Sequence, residues 1–212
     1  MNIKSIPANW LVILLAVLMA GCCSPCEKPD LGEFTLSNEA KRFLTFSDRT
    51  EEYRSSDGRS VIITFTELNN GFVELVDNCD ELNRCGLCCN NYRAEFVSVL
   101  GGSDDLSVSL EIAVSKDFST VGPTAPAEEI PENMRILMNN APNLNCILEE
   151  VVTTELTDVV TLNGRTFTKV FKCELENPNF VFEDTEVTGI YFTKDLGLVG
   201  YRTGPDVIWA LP

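Results

Sequence analysis

The chain has 212 residues, of which 16 are basic and 32 acidic, and its formal net charge is −16. Such a charge disfavours nucleic acids and anionic membrane surfaces as partners. The chain contains no histidine, which excludes Ser-His-Asp and Cys-His catalysis and imidazole-ligated zinc or haem. We interpret the acidic surplus as a solvated surface, and the alternative is a face that binds cations or amines.

The first 21 residues have the layout of a secretory signal. Lys4 precedes an apolar run from Trp10 to Ala20, which is too short for a spanning helix. Cys22 directly follows Ala20-Gly21 and resembles the cysteine of the bacterial lipobox. The resemblance implies cleavage before Cys22, lipidation of Cys22 and a lipid anchor in a membrane of the bacterial cell envelope, at the outer membrane or the cell surface. Residues 22–33 are then predicted to be a flexible tether, and residues 34–212 a single β-rich domain.

The pattern from residue 37 onward predicts one short helix followed by strands. Ser37 can cap a helix over 37–44, because Ala40, Phe43 and Leu44 recur at helical spacing. Residues 60–68 and 72–78 are predicted strands. Asn69-Asn70-Gly71 lies between them and favours a turn, so we expect a hairpin.

The middle of the chain alternates apolar and polar residues. Strands are predicted at 91–100 and 106–115, and the second carries its apolar residues on one face, opposite a face of Ser and Glu. Residues 116–131 contain Gly122 and three prolines, and are predicted to be a long loop. The segment 131–140 is predicted to be a second short helix.

The last third of the chain is predicted to be strands joined by tight turns. Asn163-Gly164 separates two β-rich runs within 147–175 and indicates a type I′ hairpin. Further strands are expected at about 187–193, 197–203 and 206–211. The resulting fold class is mainly β: a single curled antiparallel sheet, a half-barrel or sandwich, of about nine or ten strands with two short helices.

Nine cysteines accompany this pattern, and an exported chain meets an oxidising environment. If Cys22 carries lipid, eight remain as disulfide candidates. They are Cys23, Cys26, Cys79, Cys85, Cys88, Cys89, Cys146 and Cys173. At least one bridge is expected within residues 79–89, whereas Cys146 and Cys173 can pair with each other or with that loop.

The alternative for residues 79–89 is a metal site. Four thiolates at Cys79, Cys85, Cys88 and Cys89 can hold zinc or an iron–sulfur cluster. Cys85-Gly-Leu-Cys88 also fits the CxxC redox pattern. Export favours oxidation, so we predict disulfides here and neither a metal nor another cofactor.

The later part of the chain is similar to β-rich lipoproteins of uncharacterised function from Bacteroidota. The resemblance rests on the segments "LNGRTFTKVF" (162–171) and "GIYFTKDLGLVGYR" (189–202), followed by a closing "VIWALP". In that pattern Asn163-Gly164 makes a turn, Gly197 lies in a second tight turn, and Trp209 plugs the end of the sheet. The resemblance implies an address in the envelope and a sheet, and it implies no activity.

Three functional classes remain for this chain. We expect a membrane-anchored, non-enzymatic lipoprotein that acts as an interaction or assembly component with a protein partner in the envelope. The alternative is a carrier or sensor of an apolar ligand or lipid, held on a concave face lined by Phe96, Leu110, Ile112, Phe171 and Phe192. The third class is an enzyme that uses paired carboxylates. No catalytic residues are predicted for it, because the adjacent glutamate pairs of the chain point to opposite faces of a strand.

Overall fold

The computed structural model describes residues 30–66, 69–76, 91–104, 107–119, 121–122, 124–139, 141, 144–175 and 183–212. The chain forms two compact units. The first comprises Met1–Gly32 with Glu74–Arg93, and its described residues lie in strands. The second comprises Glu33–Val73 with Ala94–Pro212. The core, the cavities and the sites described below belong to the second unit.

The described residues form one short α-helix, α1 (Asn38–Lys41), which continues into a 3-10 turn at Arg42–Leu44. They also form thirteen strands. In chain order the strands are β1 (Asp30–Phe34), β2 (Arg49–Ser55), β3 (Ser60–Phe65), β4 (Asn69–Val76), β5 (Asn91–Ser103), β6 (Ser109–Lys116), β7 (Glu132–Met138), β8 (Cys146–Leu148), β9 (Asp158–Leu162), β10 (Arg165–Glu174), β11 (Val187–Thr193), β12 (Gly197–Thr203) and β13 (Val207–Ala210).

The strands belong to one antiparallel sheet that curls into a half-barrel. Its strand order is β8-β7-β6-β5-β3-β2-β13-β12-β11-β10-β9, and β1 and β4 also pair with β5. The Cys146–Cys173 disulfide, with a Cα–Cα distance of 5.6 Å, joins β8 at one edge to β10 beside the other edge. The curl therefore brings both flanks of the sheet together, and a covalent bond holds them there.

The concave face of the half-barrel and the helix share one hydrophobic core. α1 and the residues after it insert Ala40, Phe43, Leu44 and Phe46 among the strands. The Phe46 ring contacts those of Phe65 and Phe192 edge-on, with centroids 5.2 and 5.8 Å apart. Phe65 ends β3 and Phe192 lies near the end of β11, so this group fills one end of the half-barrel, called here the filled end.

Strands β11 and β12 are buried on both faces, unlike β3, β6 and β7. The hairpin β9–β10 covers the convex side of this region. A Cβ added to Gly200 on β12 would lie 2.8 Å from Leu162 Cδ1 of β9. Asn163, in the turn of the hairpin, donates hydrogen bonds from Nδ2 to the carbonyls of Arg54 and Ile208, at 2.8 and 3.1 Å. The sheet is thus two layers thick at this point.

The main predictions for the fold are confirmed. The chain is mainly β, the sheet is curled and antiparallel, and the helix begins after Ser37, whose Oγ accepts a hydrogen bond from Ala40 N. The Asn163-Gly164 turn joins β9 to β10 with φ angles of 48° and 85°, as a type I′ turn requires. Gly197 likewise has a positive φ of 78° after the turn between β11 and β12.

The second predicted helix, at 131–140, is wrong: this segment is β7. Its residues alternate between buried and more exposed along the strand, and Met134, Ile136 and Met138 lie on the core side. Met, Leu, Arg and Glu are helix formers. Pairing with β6 on one side and β8 on the other overrides that propensity.

The hairpin predicted at Asn69-Asn70-Gly71 is also wrong. These residues lie inside β4, and β3 pairs with β2 and β5 instead. A Cβ on Gly71 would lie 3.0 Å from Phe96 Cε1, so this glycine admits the Phe96 ring rather than forming a turn.

The strand count exceeds the nine or ten predicted. Strands β1, β2 and β7 were not among the predicted strands, and the run before Asn163 divides into β8 and β9. β1 begins at Asp30, within the range 22–33 predicted to be a tether, and Gly32 takes a positive φ of 84° inside this strand. Of the predicted loop at 116–131, Lys116 ends β6, and the other described residues lie outside strands.

Candidate functional site

The end of the half-barrel opposite α1 contains a cavity of about 700 Å³, called here the cup. Strands β3 and β11 begin at this end, and strands β7 and β12 finish there. The antiparallel order thus brings five distant parts of the chain together around one opening. The lining residues are Arg59, Ser60, Val61, Ser107, Val108, Met138, Asn139, Asp184, Thr185, Val187, Tyr201, Thr203 and Trp209.

The floor of the cup is apolar. Val61, Val108, Met138, Val187 and Tyr201 are buried members of the hydrophobic core whose surfaces reach the cavity. They come from five different segments. Val61, Met138, Val187 and Tyr201 lie on strands, where alternation turns them to the concave side, and Val108 directly precedes β6.

One wall of the cup is aromatic. Tyr201 and Trp209 are register partners on β12 and β13, and their rings stack with centroids 5.7 Å apart and planes 6° apart. Trp209 is half-buried, and its Nε1 donates a hydrogen bond to Thr203 Oγ1 at 3.2 Å. Trp209 was expected to plug the end of the sheet. Its ring does lie at that end, but it forms one wall of the cup and leaves the cavity open.

Tyr53 supports the aromatic wall from beneath. Its ring lies 6.1 Å from that of Tyr201, and its hydroxyl donates to the carbonyl of Leu198 at 2.8 Å. Burial raises the pKa of Tyr53 well above its usual range, so the phenol stays protonated and keeps this hydrogen bond.

The rim of the cup carries two charges of opposite sign, Arg59 and Asp184. Arg59 Cζ lies 5.1 Å from the centroid of the Trp209 ring, which is a cation–π distance. The guanidinium also binds Asp57 through two contacts, Nη2–Oδ2 at 2.7 Å and Nε–Oδ1 at 3.0 Å. The hydrogen bond from Arg59, with a second from Ser55, lowers the pKa of Asp57 to about 2.

These residues suit binding. An apolar floor, an aromatic wall and a polar rim are the usual parts of a site for a small molecule, and 700 Å³ lies within the usual range for such sites. The polar groups of the lining are hydroxyls, an amide, one guanidinium and one carboxylate, and the charged groups lie at the rim. A ligand that fits has an apolar body and a polar head.

A second cavity, of about 540 Å³, lies beside α1 and is lined partly by Glu128, Glu129, Glu132, Glu150 and Lys116. Two of these side chains form a buried ion pair, with 5% of Lys116 and 9% of Glu132 exposed and a distance of 3.3 Å.

The partners of this ion pair give it a structural role. Glu132 accepts hydrogen bonds from Ser37 N and Ser37 Oγ at 2.7 and 2.6 Å, and Lys116 Nζ donates to the carbonyl of Ala127 at 3.0 Å. The pair thus attaches the start of α1 to β6 and β7, and we assign it to folding.

The residues predicted to line a concave pocket do not line the cup. Leu110, Ile112 and Phe192 are buried in the core, and Phe171 packs half-buried against that core. Phe96 is half-buried beside Gly71. The expectation was wrong for the other four residues because α1 and the residues after it occupy the concave space between them. It was wrong for Phe96 because this side chain lies on the opposite face of β5 from the core residues Val97 and Val99. Alternation located the concave face but not the helix that fills it.

The cup itself was not predicted. Among its lining residues, Trp209 was expected at the end of the sheet and Val108 on the apolar face of the strand predicted at 106–115. A weak signal existed in the sequence: Trp209 follows two predicted strands that carry aromatic residues, and Arg59 directly precedes the predicted strand 60–68. Nothing in the sequence alone places these two residues together, because 150 positions separate them.

Cys146 and Cys173, two of the predicted disulfide candidates, are bonded to each other. Cys22, Cys23, Cys26, Cys79, Cys85, Cys88 and Cys89 lie outside the described residues, and so do the predictions of lipidation, of bridges and of the alternative metal site. Within the described ranges, no cluster of three or more Cys, Asp or Glu side chains is arranged to hold a metal ion. No helix in the same ranges has the length and apolar character to cross a membrane.

The fold and the cup define a class of structure: a curled antiparallel sheet that a helix fills at one end and that opens into a binding cavity at the other. Comparisons with protein-family models, with curated proteins and with solved structures give no match for this chain.

Proposed function

We propose that this chain is an exported, lipid-anchored, non-enzymatic protein of the bacterial cell envelope that carries or senses a ligand with an apolar body. The observation that supports this function best is the 700 Å³ cup with its apolar floor at the end that α1 leaves open. The lack of histidine and the absence of a nucleophile–base pair among the lining residues favour binding over catalysis.

A direct test uses N-phenyl-1-naphthylamine, a neutral apolar dye that fluoresces when it leaves water. We expect saturable binding of one dye per chain. Thr185→Phe places a ring at the rim of the cup and should weaken binding at least about fivefold by filling volume. Thr50→Phe, an exposed change at the start of β2 near the filled end, is the matched control and should leave binding unchanged. Unsaturable binding, or equal binding by both variants, would contradict the proposal.

The lipid anchor is part of the same proposal and rests on the Ala20-Gly21-Cys22 sequence. With a net charge of −16, the chain is repelled by anionic lipid, so acyl chains must supply the attachment. Metabolic labelling with palmitate should mark the protein and should be lost in Cys22→Ser. The neighbouring Cys23→Ser is the control and should keep the label. Labelling that survives Cys22→Ser would refute the anchor.

The second candidate function is an interaction or assembly component, and it is favoured by apolar side chains on the convex face. Leu100, Leu137 and Ile147 are each at least 40% exposed, and Leu100 and Leu137 flank Glu111 in register on three adjacent strands. A photo-crosslinking residue placed at Leu137 should capture a discrete species in cells. The same residue at Val159, exposed on β9, is the control. Capture at Val159 only, or at neither, would count against this candidate.

A further inference from the structure

We propose that the cup selects organic cations: ligands with an ammonium or guanidinium head and an apolar body. This inference rests on the proposed binding function and adds the chemical class of the ligand. It depends on the charges at the rim, on the guanidinium that already lies there, and on the apolar floor below.

The charge at the rim is negative once internal pairs are counted. Arg59 and Asp184 are the two charged lining residues. Arg59 is already neutralised by two contacts with Asp57, at 2.7 and 3.0 Å. Asp184 is exposed at the rim and forms no close ion pair among the described residues, although its charge also acts on Arg59. Two carboxylates, Asp57 and Asp184, thus face one guanidinium, and a head group entering the cup meets a net negative rim, within a chain whose formal charge is −16.

The rim already holds an organic cation against an aromatic ring. The Arg59 guanidinium, whose side chain is 59% exposed, lies over the Trp209 ring and pairs with a carboxylate. An aromatic face next to carboxylates is the arrangement that recognises ammonium and guanidinium ligands. A ligand cation would bind beside this guanidinium at Asp184, or would compete with it for the Trp209 ring.

The floor of the cup determines the body of the ligand, as the rim determines its head group. Val61, Val108, Met138 and Val187 offer no charge and no side-chain hydrogen bond, so only an apolar body is stabilised against them. Each methylene buried there should raise affinity about fourfold. Affinity should therefore increase along a series of alkylammonium ions until the floor is covered.

The test uses Trp209 as its own reporter. The chain has two tryptophans, Trp10 and Trp209, so full-length protein carrying Trp10→Phe contains one. Its emission is followed during titration with octylammonium and octanoate, below their micelle concentrations, and with 1-octanol, below its solubility limit. We expect saturable changes with the strongest affinity for octylammonium and the weakest for octanoate. Hexylammonium should bind about fifteenfold more weakly than octylammonium, because it lacks two methylenes.

Two charge variants locate the selectivity. Asp184→Asn should reduce the affinity for octylammonium about threefold to fivefold and leave 1-octanol unchanged, since a solvent-exposed ion pair is modest in strength. Asp195→Asn, in the β11–β12 turn near the filled end, makes the same change in net charge and should have no effect. High salt should reduce the preference for the cation.

The outcomes separate this inference from the proposed function. If the three probes bind equally, or if octanoate binds best, the cup binds apolar molecules and the cation preference is wrong. If Asp184→Asn and Asp195→Asn have the same effect, the selectivity comes from net charge and not from this site, which also overturns the inference. If no probe changes the emission of Trp209, the proposed binding function fails together with it.

Discussion

The two ends of the half-barrel are built from the same strands but differ in what lies between them. At the filled end, the Phe46 ring packs against the rings of Phe65 and Phe192, and Phe43 belongs to the same hydrophobic core. At the open end, Trp209 and Arg59 are among the residues that line a cavity of about 700 Å³. The difference indicates a division of roles: the filled end supplies stability, and the open end is available for binding. The predictions below test that division.

The largest expected effect is at the centre of the filled end. Phe46→Ala removes a buried ring that contacts two others and should lower the free energy of unfolding by about 3–5 kcal/mol. Urea denaturation measures it. Leu196→Ala, at an exposed leucine beside the same end, is the control and should cost less than about 1 kcal/mol. Similar losses for the two variants would show that the filled end is not the stabilising one.

The second largest effect is expected from removal of the disulfide between the flanks of the sheet. Cys146 and Cys173 are 27 positions apart, and a cross-link closing such a loop contributes about 3–4 kcal/mol in the chain-entropy model. The double variant Cys146→Ala/Cys173→Ala should lose that amount in urea denaturation without reductant. Adding reductant to the double variant then reports on the remaining cysteines alone. Unchanged stability in the double variant would mean that strand pairing holds the flanks without the bond.

Alanine substitutions at two glycines with similar positive φ angles allow the two ends to be compared directly. Gly197, at the filled end, has a φ of 78°, and an added Cβ would lie 2.6 Å from Phe46 Cγ. Gly197→Ala combines backbone strain with a clash and should cost about 2–4 kcal/mol. Gly58, in the β2–β3 turn at the open end, has a φ of 92° with nothing within 4 Å. Gly58→Ala should cost only the strain, about 1–2 kcal/mol. Thermal unfolding of both variants checks the order, and equal losses would contradict close packing at the filled end.

The smallest expected effect is the change in stability when the Asp57 carboxylate titrates at the open end. Hydrogen bonds from Arg59 and then Ser55 lower the pKa of Asp57 to about 2, below its ordinary value of 3.8. Because the folded pKa is the lower one, this carboxylate stabilises the fold above about pH 4. That contribution is lost as the pH falls through about 2.

Carboxyl chemical shifts measured against pH should show the low pKa of Asp57. Arg59→Gln should return it toward 3.8 by removing the donor. Arg54→Gln, which removes the partner of Glu52 instead, is the control and should leave Asp57 unchanged. A normal pKa for Asp57 in the unsubstituted chain would mean that Arg59 is not held at the rim.

Local patterns in the sequence predicted the parts of the fold that depend on neighbouring residues. The Asn163-Gly164 turn was predictable because its chemistry lies in two adjacent residues with positive φ. The strand β6 was predictable because its alternation is clean. The segment that became β7 was not, because its helix-forming residues are held extended by two strand partners.

The cup depends on residues that only the folded sheet brings together. Arg59 and Trp209 lie at opposite parts of the chain, and no spacing rule connects them. The fate of Leu110 and Ile112 also depends on where α1 packs, since the same concave positions line a pocket in an empty half-barrel and a core in a filled one. Sequence patterning assigns residues to a face of a sheet, but it does not say what lies against that face.

The account is tested most directly by two methionines on one strand. Met134 and Met138 both face the concave side of β7, but Met134 lies fully buried at the filled end and Met138 lines the cup, 9% exposed. With methyl-labelled methionine, NMR should detect NOEs from bound 1-octanol to the methyl group of Met138 and none to that of Met134. Contacts to Met134, or equal contacts to both methyl groups, would place the ligand in the core and contradict a binding site at the open end.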